Sequence, residues 1–129
     1  MSYPVITIDK AKIEHNSRTL SKLLKQQGMR LVGVAKGVCA HPAVVEAMVS
    51  GGASAIGDSR IDNLRRIREQ GYQGETILLR APGPSQCDEA VLYADTSLNS
   101  EITTVKLLGE AASKAGKMHK VILMVDLGD

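Results

Sequence analysis

The sequence has no phenylalanine and no tryptophan, and only three tyrosines stand among its 129 residues. Any core must therefore be built from Leu, Ile, Val, Ala and Met. The aromatic platforms on which single-stranded nucleic acids stack are missing as well. Cysteine is scarce: Cys39 and Cys87 lie far apart and fit no C-x-x-C or metal spacing, which predicts free thiols in a reducing compartment. The start, Met1-Ser2-Tyr3-Pro4, opens no apolar run that would serve as a signal peptide or membrane span, so a cytoplasmic protein without a membrane partner is expected. Charge of one sign is also lacking. Sixteen basic and fourteen acidic residues are interspersed and leave a net charge of +2, which argues against nucleic acid or another acidic polymer as partner. The one local basic cluster, Arg65, Arg66 and Arg68, falls in a helical pattern and reads as a solvated helix face. His15, His41 and His119 join no cysteines or carboxylates at ligand spacing, so no metal is expected.

What the chain does have is an apolar fraction of 43% and a charged fraction of 23%, the make-up of an ordinary folded domain. Short apolar runs alternate with amphipathic stretches, the pattern of a parallel sheet covered by helices. Val5 to Ile8 reads as a first short strand. Asp9 caps a helix with Ile13, Leu20 and Leu24 on one stripe, ended by Gly28. Leu31 to Ala35 is a strand, and His41-Pro42 opens a helix through Val44, Val45, Met48 and Val49. Ser54 to Gly57 is a strand, followed by a helix with Ser59 as cap and Ile61, Leu64 and Ile67 on its stripe. Thr76 to Leu79 is a strand, Ala81-Pro82-Gly83-Pro84 is loop, and Cys87 to Leu92 is a short helix before a weak strand near Thr96. Ile102, Val105, Leu108 and Ala112 form a helical stripe ended by Gly116, and Val121 to Val125 is the strongest strand.

From Leu31 onward the strands recur about every 20–25 residues, the compact repeat of a (β/α)8 barrel of the TIM type. A whole barrel takes about 250 residues. The α/β reading is therefore a partial barrel over residues 1–129, a fragment or one piece of an assembly, with no linker and no second domain. An open arc of strands leaves an unpaired edge, which is a hazard in isolation.

In such barrels the chemistry sits at the carboxyl ends of the strands, and side chains alternate between interior and helix layer. If Lys36 points inward, Val32 and Val34 share its face. The same alternation groups Ser54, Ile56 and Asp58, then Thr76, Leu78 and Arg80, then Ile122, Met124 and Asp126. Each row ends in an ionisable residue, so Lys36, Asp58, Arg80 and Asp126 are expected around one mouth, suited to a zwitterionic or phosphorylated ligand. The plain alternative is that charged residues mark where each strand leaves the core.

The stretch Leu31-Val32-Gly33-Val34-Ala35-Lys36-Gly37 resembles the cofactor-lysine strand of the alanine racemase-like, fold-type III enzymes. Ile8-Asp9-Lys10-Ala11-Lys12-Ile13-Glu14-His15-Asn16 resembles the family's I-D-x-x-x-(I/L)-x-x-N block, and Met124-Val125-Asp126-Leu127-Gly128-Asp129 resembles its V-D-T-G-M strand end. Val34-Ala35-Lys36-Gly37-Val38-Cys39, with Gly57-Asp58-Ser59-Arg60-Ile61-Asp62-Asn63-Leu64, is most similar to the ornithine racemase-like branch.

The resemblance implies pyridoxal 5'-phosphate (PLP) as cofactor, a Schiff base on Lys36, and inversion of the Cα of a free amino acid, with ornithine suggested by the branch. It implies a homodimer, and a carboxy-terminal β domain and later barrel loops that lie outside this chain. Lys36 is expected to be the acid/base on one face, with Asp58, Arg80 and Asp126 as further cofactor contacts. The segment Gly37-Val38-Cys39-Ala40-His41 replaces the Asn-Ala-Tyr-Gly run of alanine racemases proper, which argues against alanine as substrate. The family's second base, a tyrosine, has no counterpart here; neither Tyr72 nor Tyr93 is a persuasive candidate. The 129 residues alone are expected not to racemise. Gly57-Asp58-Ser59-Arg60-Ile61-Asp62-Asn63 also resembles the G-E-N-R-V-Q-E segment of non-catalytic PLP-binding homeostasis proteins, the alternative reading.

Overall fold

Asp9 starts the first helix. In the computed structural model, which describes residues 3–128, its carboxylate accepts from the Lys12 backbone N–H at 3.1 Å, and α1 runs Lys10–Gln26. Gly28 follows in the left-handed region, with φ at +68°, a conformation that costs glycine little. The chain then alternates strand and helix. In order come β1 (Val32–Val34), α2 (Pro42–Ser50), β2 (Ala55–Asp58), α3 (Ile61–Glu69), β3 (Glu75–Leu78), α4 (Cys87–Tyr93), β4 (Thr96–Asn99), α5 (Ile102–Ala115) and β5 (Lys120–Leu123). The five strands pair in sequence order, all parallel.

The core lies between the sheet and its helices. Ala35 and Ile56 join Leu64 and Ile67 of α3, Leu78, and Cys87, Ala90 and Val91 of α4 in one buried cluster that reaches Leu108 of α5. Ile56, Leu64, Ile67, Leu78 and Leu108 are fully buried, and each contributes about 1.5–3 kcal/mol of transfer free energy. Helix α1 packs on α2 rather than on the sheet. Ser17 donates to the Met48 carbonyl at 2.7 Å, and Gly51 lies so close to α1 that a Cβ there would meet the Glu14 carbonyl oxygen at 2.5 Å.

Two expectations are corrected. Val5 to Ile8 forms no strand: every ladder in the sheet is between β1 and β5, and Val5 and Ile6 are 60% and 89% exposed. An extended segment without a partner strand has nothing to hold it as β structure. Ser59 does not cap α3. Arg60 stands at the N-cap with no side-chain cap bond, and the start of the helix is tied to β2 by Asp58, whose Oδ1 accepts from the Arg60 N–H at 2.9 Å and from Asn63 Nδ2 at 3.0 Å.

Candidate functional site at the carboxyl end of β1

Register and burial assign the two faces of the sheet. Gly33 pairs with Ile56, and Ile56 with Thr76. A Cβ on Gly33 would meet both Met48 of α2 and Ile56, so this row faces the helices. The opposite row holds Val34, Gly57 and Ile77, which pair across β1, β2 and β3. Leu79 lies against Gly57 on that side, and Leu98 pairs with Ile122 across β4 and β5. Among the described residues no helix covers this second face. Val34, Ile122 and Met124 remain 44%, 47% and 41% exposed, so it is the apolar interior of the barrel arc.

Lys36 stands where β1 ends. Ala35 is fully buried on the helix side and still donates its N–H to the Gly57 carbonyl. Lys36 then opens a single 3₁₀ turn, Lys36–Val38, and is exposed at the carboxyl end of the sheet. Among the described residues it makes no ion pair. Cys39 and Ala40 follow with φ at +49° and +55°. Two successive left-handed residues other than glycine cost about 1–3 kcal/mol each. The turn persists because its amides are bonded: Val38 and Ala40 donate to the Ala35 carbonyl, Cys39 to that of Lys36, and His41 to that of Val38. His41 also caps α2, its Nδ1 accepting from the Ala43 N–H at 3.3 Å. Cys39 is exposed.

None of the other three expected members of the mouth bonds to Lys36. Asp58 is fully buried on the helix side, in the row of Ile56, where it ties β2 to the start of α3. Its Oδ2 is buried with no partner among the described residues. Arg80 is exposed beyond β3 and lines a small cleft with Arg60, Asp62, Gln86 and Glu89, between α3 and α4. Asp126 lies past β5, exposed, its Oδ1 accepting from the Gly128 N–H at 2.8 Å. No hydrogen bond or ion pair joins these four residues. The interior phase assigned to Ile56 and Asp58, and to Thr76 and Leu78, is therefore reversed, while that of Val32 and Val34 is right. Lys36 rises beside an apolar face, not within a charged ring.

Several polar groups that chain-order reading missed are revealed by contacts between distant segments. Arg66 of α3 donates to the Cys39 carbonyl at 2.7 Å. Arg68 donates to the carbonyls of Tyr72 and Gly74, to Thr76 Oγ1, and to Asp95 Oδ2 at 2.7 Å. Arg65 pairs with Asp62 and Glu89. The expected solvated face is thus three arginines with three tasks. At the amino ends of the strands Glu75 accepts from Arg30 at 2.8 Å and from Thr96 Oγ1 at 3.3 Å, with Lys120 at 3.8 Å. The Arg30 hydrogen bond is the main reason the Glu75 carboxyl is held below its ordinary range.

Tyr72 donates to the Glu75 carbonyl at this same amino end, and burial pushes its phenol up. Tyr93 is the last residue of α4. Neither tyrosine stands beside Lys36 in the fold. Among the described residues, no group of three His, Cys, Asp or Glu side chains gathers to hold a metal. No helix among them is long and apolar enough to cross a membrane.

A sequentially ordered parallel sheet with helices on one face and an apolar interior on the other defines the class: an arc of a TIM-type barrel, whose working end is the carboxyl end of its strands. Comparison with known proteins makes the assignment specific. The chain belongs to the family described as alanine racemase, N-terminal domain, which matches residues 8–129. It is 39% identical over 127 residues to ornithine racemase of Acetoanaerobium sticklandii, covering 98% of this chain and 35% of that protein. It is 32% identical to lysine racemase of Thermotoga maritima, covering 100% of this chain and 36% of that protein. The chain therefore spans about a third of the curated relatives it matches. Among solved structures, alanine racemase of Streptomyces coelicolor A3(2) superposes with a TM-score of 0.77 at 25% identity, over 94% of this chain and 33% of that one. D-threonine aldolase of Filomicrobium marinum gives 0.81 at 19% identity, over 98% and 35%, which speaks to the fold.

Proposed function

We propose that this chain is the amino-terminal, cofactor-lysine part of a PLP-dependent amino-acid racemase, with Lys36 as the covalent anchor of the cofactor. The observation that carries the reading is the placement of Lys36. It is an amine with no ion-pair partner among the described residues, at the carboxyl end of β1 and next to an open apolar face, in a chain that aligns along nearly its whole length with an ornithine and a lysine racemase. Those residues fit a carbonyl cofactor: an amine without a carboxylate partner is free to condense, and the face formed by Val34, Gly57, Leu79 and Met124 offers an apolar wall. When bound, PLP supplies an electron sink for the carbanion left at Cα.

The chain's own part is to hold that group at Lys36 Nζ and to move a proton there on one face of the substrate. Inversion needs a second acid/base on the other face. Tyr72 is committed to Glu75 and Tyr93 sits in the helix layer, so the second group comes from outside these 129 residues. The reading therefore includes three further barrel repeats, a carboxy-terminal β domain and a homodimer, with a free amino acid as substrate. Ornithine and lysine are the first candidates because they name the two relatives. Asp126 stays a candidate contact, at the end of β5 near the interior. Asp58 is a structural residue, and Arg80 would have to swing from its cleft to touch the cofactor.

A non-catalytic PLP-binding protein is the second reading, from the likeness of residues 57–63 to the G-E-N-R-V-Q-E segment. PipY of Synechococcus elongatus, solved without PLP, superposes with a TM-score of 0.75 over 88% of this chain and 54% of that one, at 19% identity. It shares the fold, whereas the racemases share 39% and 32% of residues, so the enzyme reading is preferred. The test is borohydride reduction of the intact protein with PLP, peptide mapping, and a racemisation assay over a panel of amino acids. A pyridoxyl group on Lys36 with turnover of a basic amino acid, both abolished in Lys36→Ala, is expected. An adduct without turnover of any amino acid supports the second reading, and absence of an adduct on Lys36 sinks both.

A further inference from the structure

The turn that carries Lys36 is held in place from a neighbouring strand-helix repeat. Its second half, Cys39 and Ala40, occupies the left-handed region that side chains rarely adopt. Ala40 is nonetheless fully buried in the core cluster, so one side of the turn is fixed by packing. The Cys39 carbonyl is turned toward α3, and Arg66 donates to it at 2.7 Å across 27 positions of sequence. This is a charge-assisted bond to a neutral acceptor. It joins the segment directly after Lys36 to the helix that follows β2, and so links the first two repeats at their carboxyl ends.

We infer that Arg66 is a positioning residue for Lys36: its guanidinium, by holding the Cys39 carbonyl, keeps the 36–40 turn closed and so fixes the direction in which the Lys36 side chain leaves β1. The inference rests on the reading of Lys36 as the cofactor lysine. Arg66 itself is exposed and is not a member of the buried core cluster, so its removal is expected to loosen one turn and not the fold. Its neighbour Arg65 provides an internal control. Arg65 carries the same charge on the same helix but pairs with Asp62 and Glu89, away from the turn. A Lys at position 66 keeps the charge and can still donate one hydrogen bond to the carbonyl, though without the rigid fork of Arg.

The experiment compares wild type, Arg66→Met, Arg66→Lys and Arg65→Met in the intact protein. The first readout needs no cofactor: hydrogen exchange of the amides of residues 38–41, all of which donate within the turn. Loss of one charge-assisted, solvent-facing bond is expected to speed that exchange about five- to tenfold in Arg66→Met, with wild-type rates in Arg65→Met. The second readout is the affinity for PLP and the borohydride-trapped yield on Lys36. Arg66→Met is expected to weaken affinity about tenfold, with most of it recovered in Arg66→Lys and an unchanged thermal midpoint.

Unchanged exchange and unchanged affinity in Arg66→Met overturn the inference while leaving the cofactor lysine intact. So does an equal loss in Arg65→Met, which would make the effect one of general charge. If wild type forms no adduct on Lys36, the functional reading fails first, and exchange at 38–41 then reports separately that Arg66 holds the turn without serving a cofactor.

Discussion

Replacing Asp58 by Ala separates a buried tie from a cofactor contact. Asp58 Oδ1 accepts two hydrogen bonds, from the Arg60 N–H and from Asn63 Nδ2, at 2.9 and 3.0 Å, and the residue is fully buried. The Ala variant strands two donors, one of them on the buried Asn63. Each orphaned donor costs about 1–3 kcal/mol when water cannot reach it, and the Arg60 N–H lies nearer solvent. Against this, the variant removes the Oδ2 atom, which is buried without a partner, and so relieves a desolvation cost. The balance is a loss of about 2–4 kcal/mol.

Urea unfolding of the purified protein measures it, with Asn63→Ala and the double variant closing a cycle. The two single losses should exceed additivity by about 0.5–3 kcal/mol, as expected for residues in direct contact. PLP affinity, measured on the folded fraction, should hardly change. A variant that unfolds at the wild-type urea concentration yet loses cofactor binding would refute this argument and return Asp58 to the mouth of the barrel.

Burial lowers the pKa of His119 below its ordinary 6.5. Its Nδ1–H donates to the Ala94 carbonyl and its Nε2 accepts from Ser97, so the folded state holds the neutral ring. The unfolded chain takes up a proton first as pH falls, so this contribution is present above about 6.5 and is lost progressively below it. In His119→Gln the slope of stability against pH across that window should flatten, which urea midpoints at several pH values will show. Gly51→Ala should cost about 1–3 kcal/mol by overpacking, since the new methyl meets the Glu14 carbonyl. Gly109→Ala, in α5 with open space around it, should gain about 0.5–1 kcal/mol, and equal melting shifts for the two would contradict the packing described. Arg68→Met removes four donations to the β3–β4 region. It should cost about 2–3 kcal/mol, less than a fully buried pair because Asp95 is 46% exposed, and a neutral result in thermal unfolding would count against the network.

The linear pattern of this chain determined a good deal. Short apolar runs, Asp9 and His41 as caps, and Gly28 and Gly116 as stops mark the five strands and five helices to within a few residues, because these are local properties of each segment. The spacing of the repeats identified the barrel, and Lys36 with its flanking blocks identified the family. The phase of the strands was legible for β1, where half-buried Val32 and exposed Val34 flank a glycine against α2, and for β5, whose Ile122 pairs with Leu98 on the interior face.

For β2 every residue from Ala55 to Asp58 is buried, since helices cover one face and Leu79 closes over Gly57 on the other. A strand buried on both sides reads as a continuous apolar run and carries no alternation from which a face can be read. Asp58 was therefore aimed at the interior, and Arg80 after it. Tertiary structure alone decided which way these residues turn and gave the three arginines of α3 their partners. The Cys39 carbonyl and the Glu89 and Asp95 carboxylates among those partners arrive from other repeats, and their positions exist only once the strands have paired.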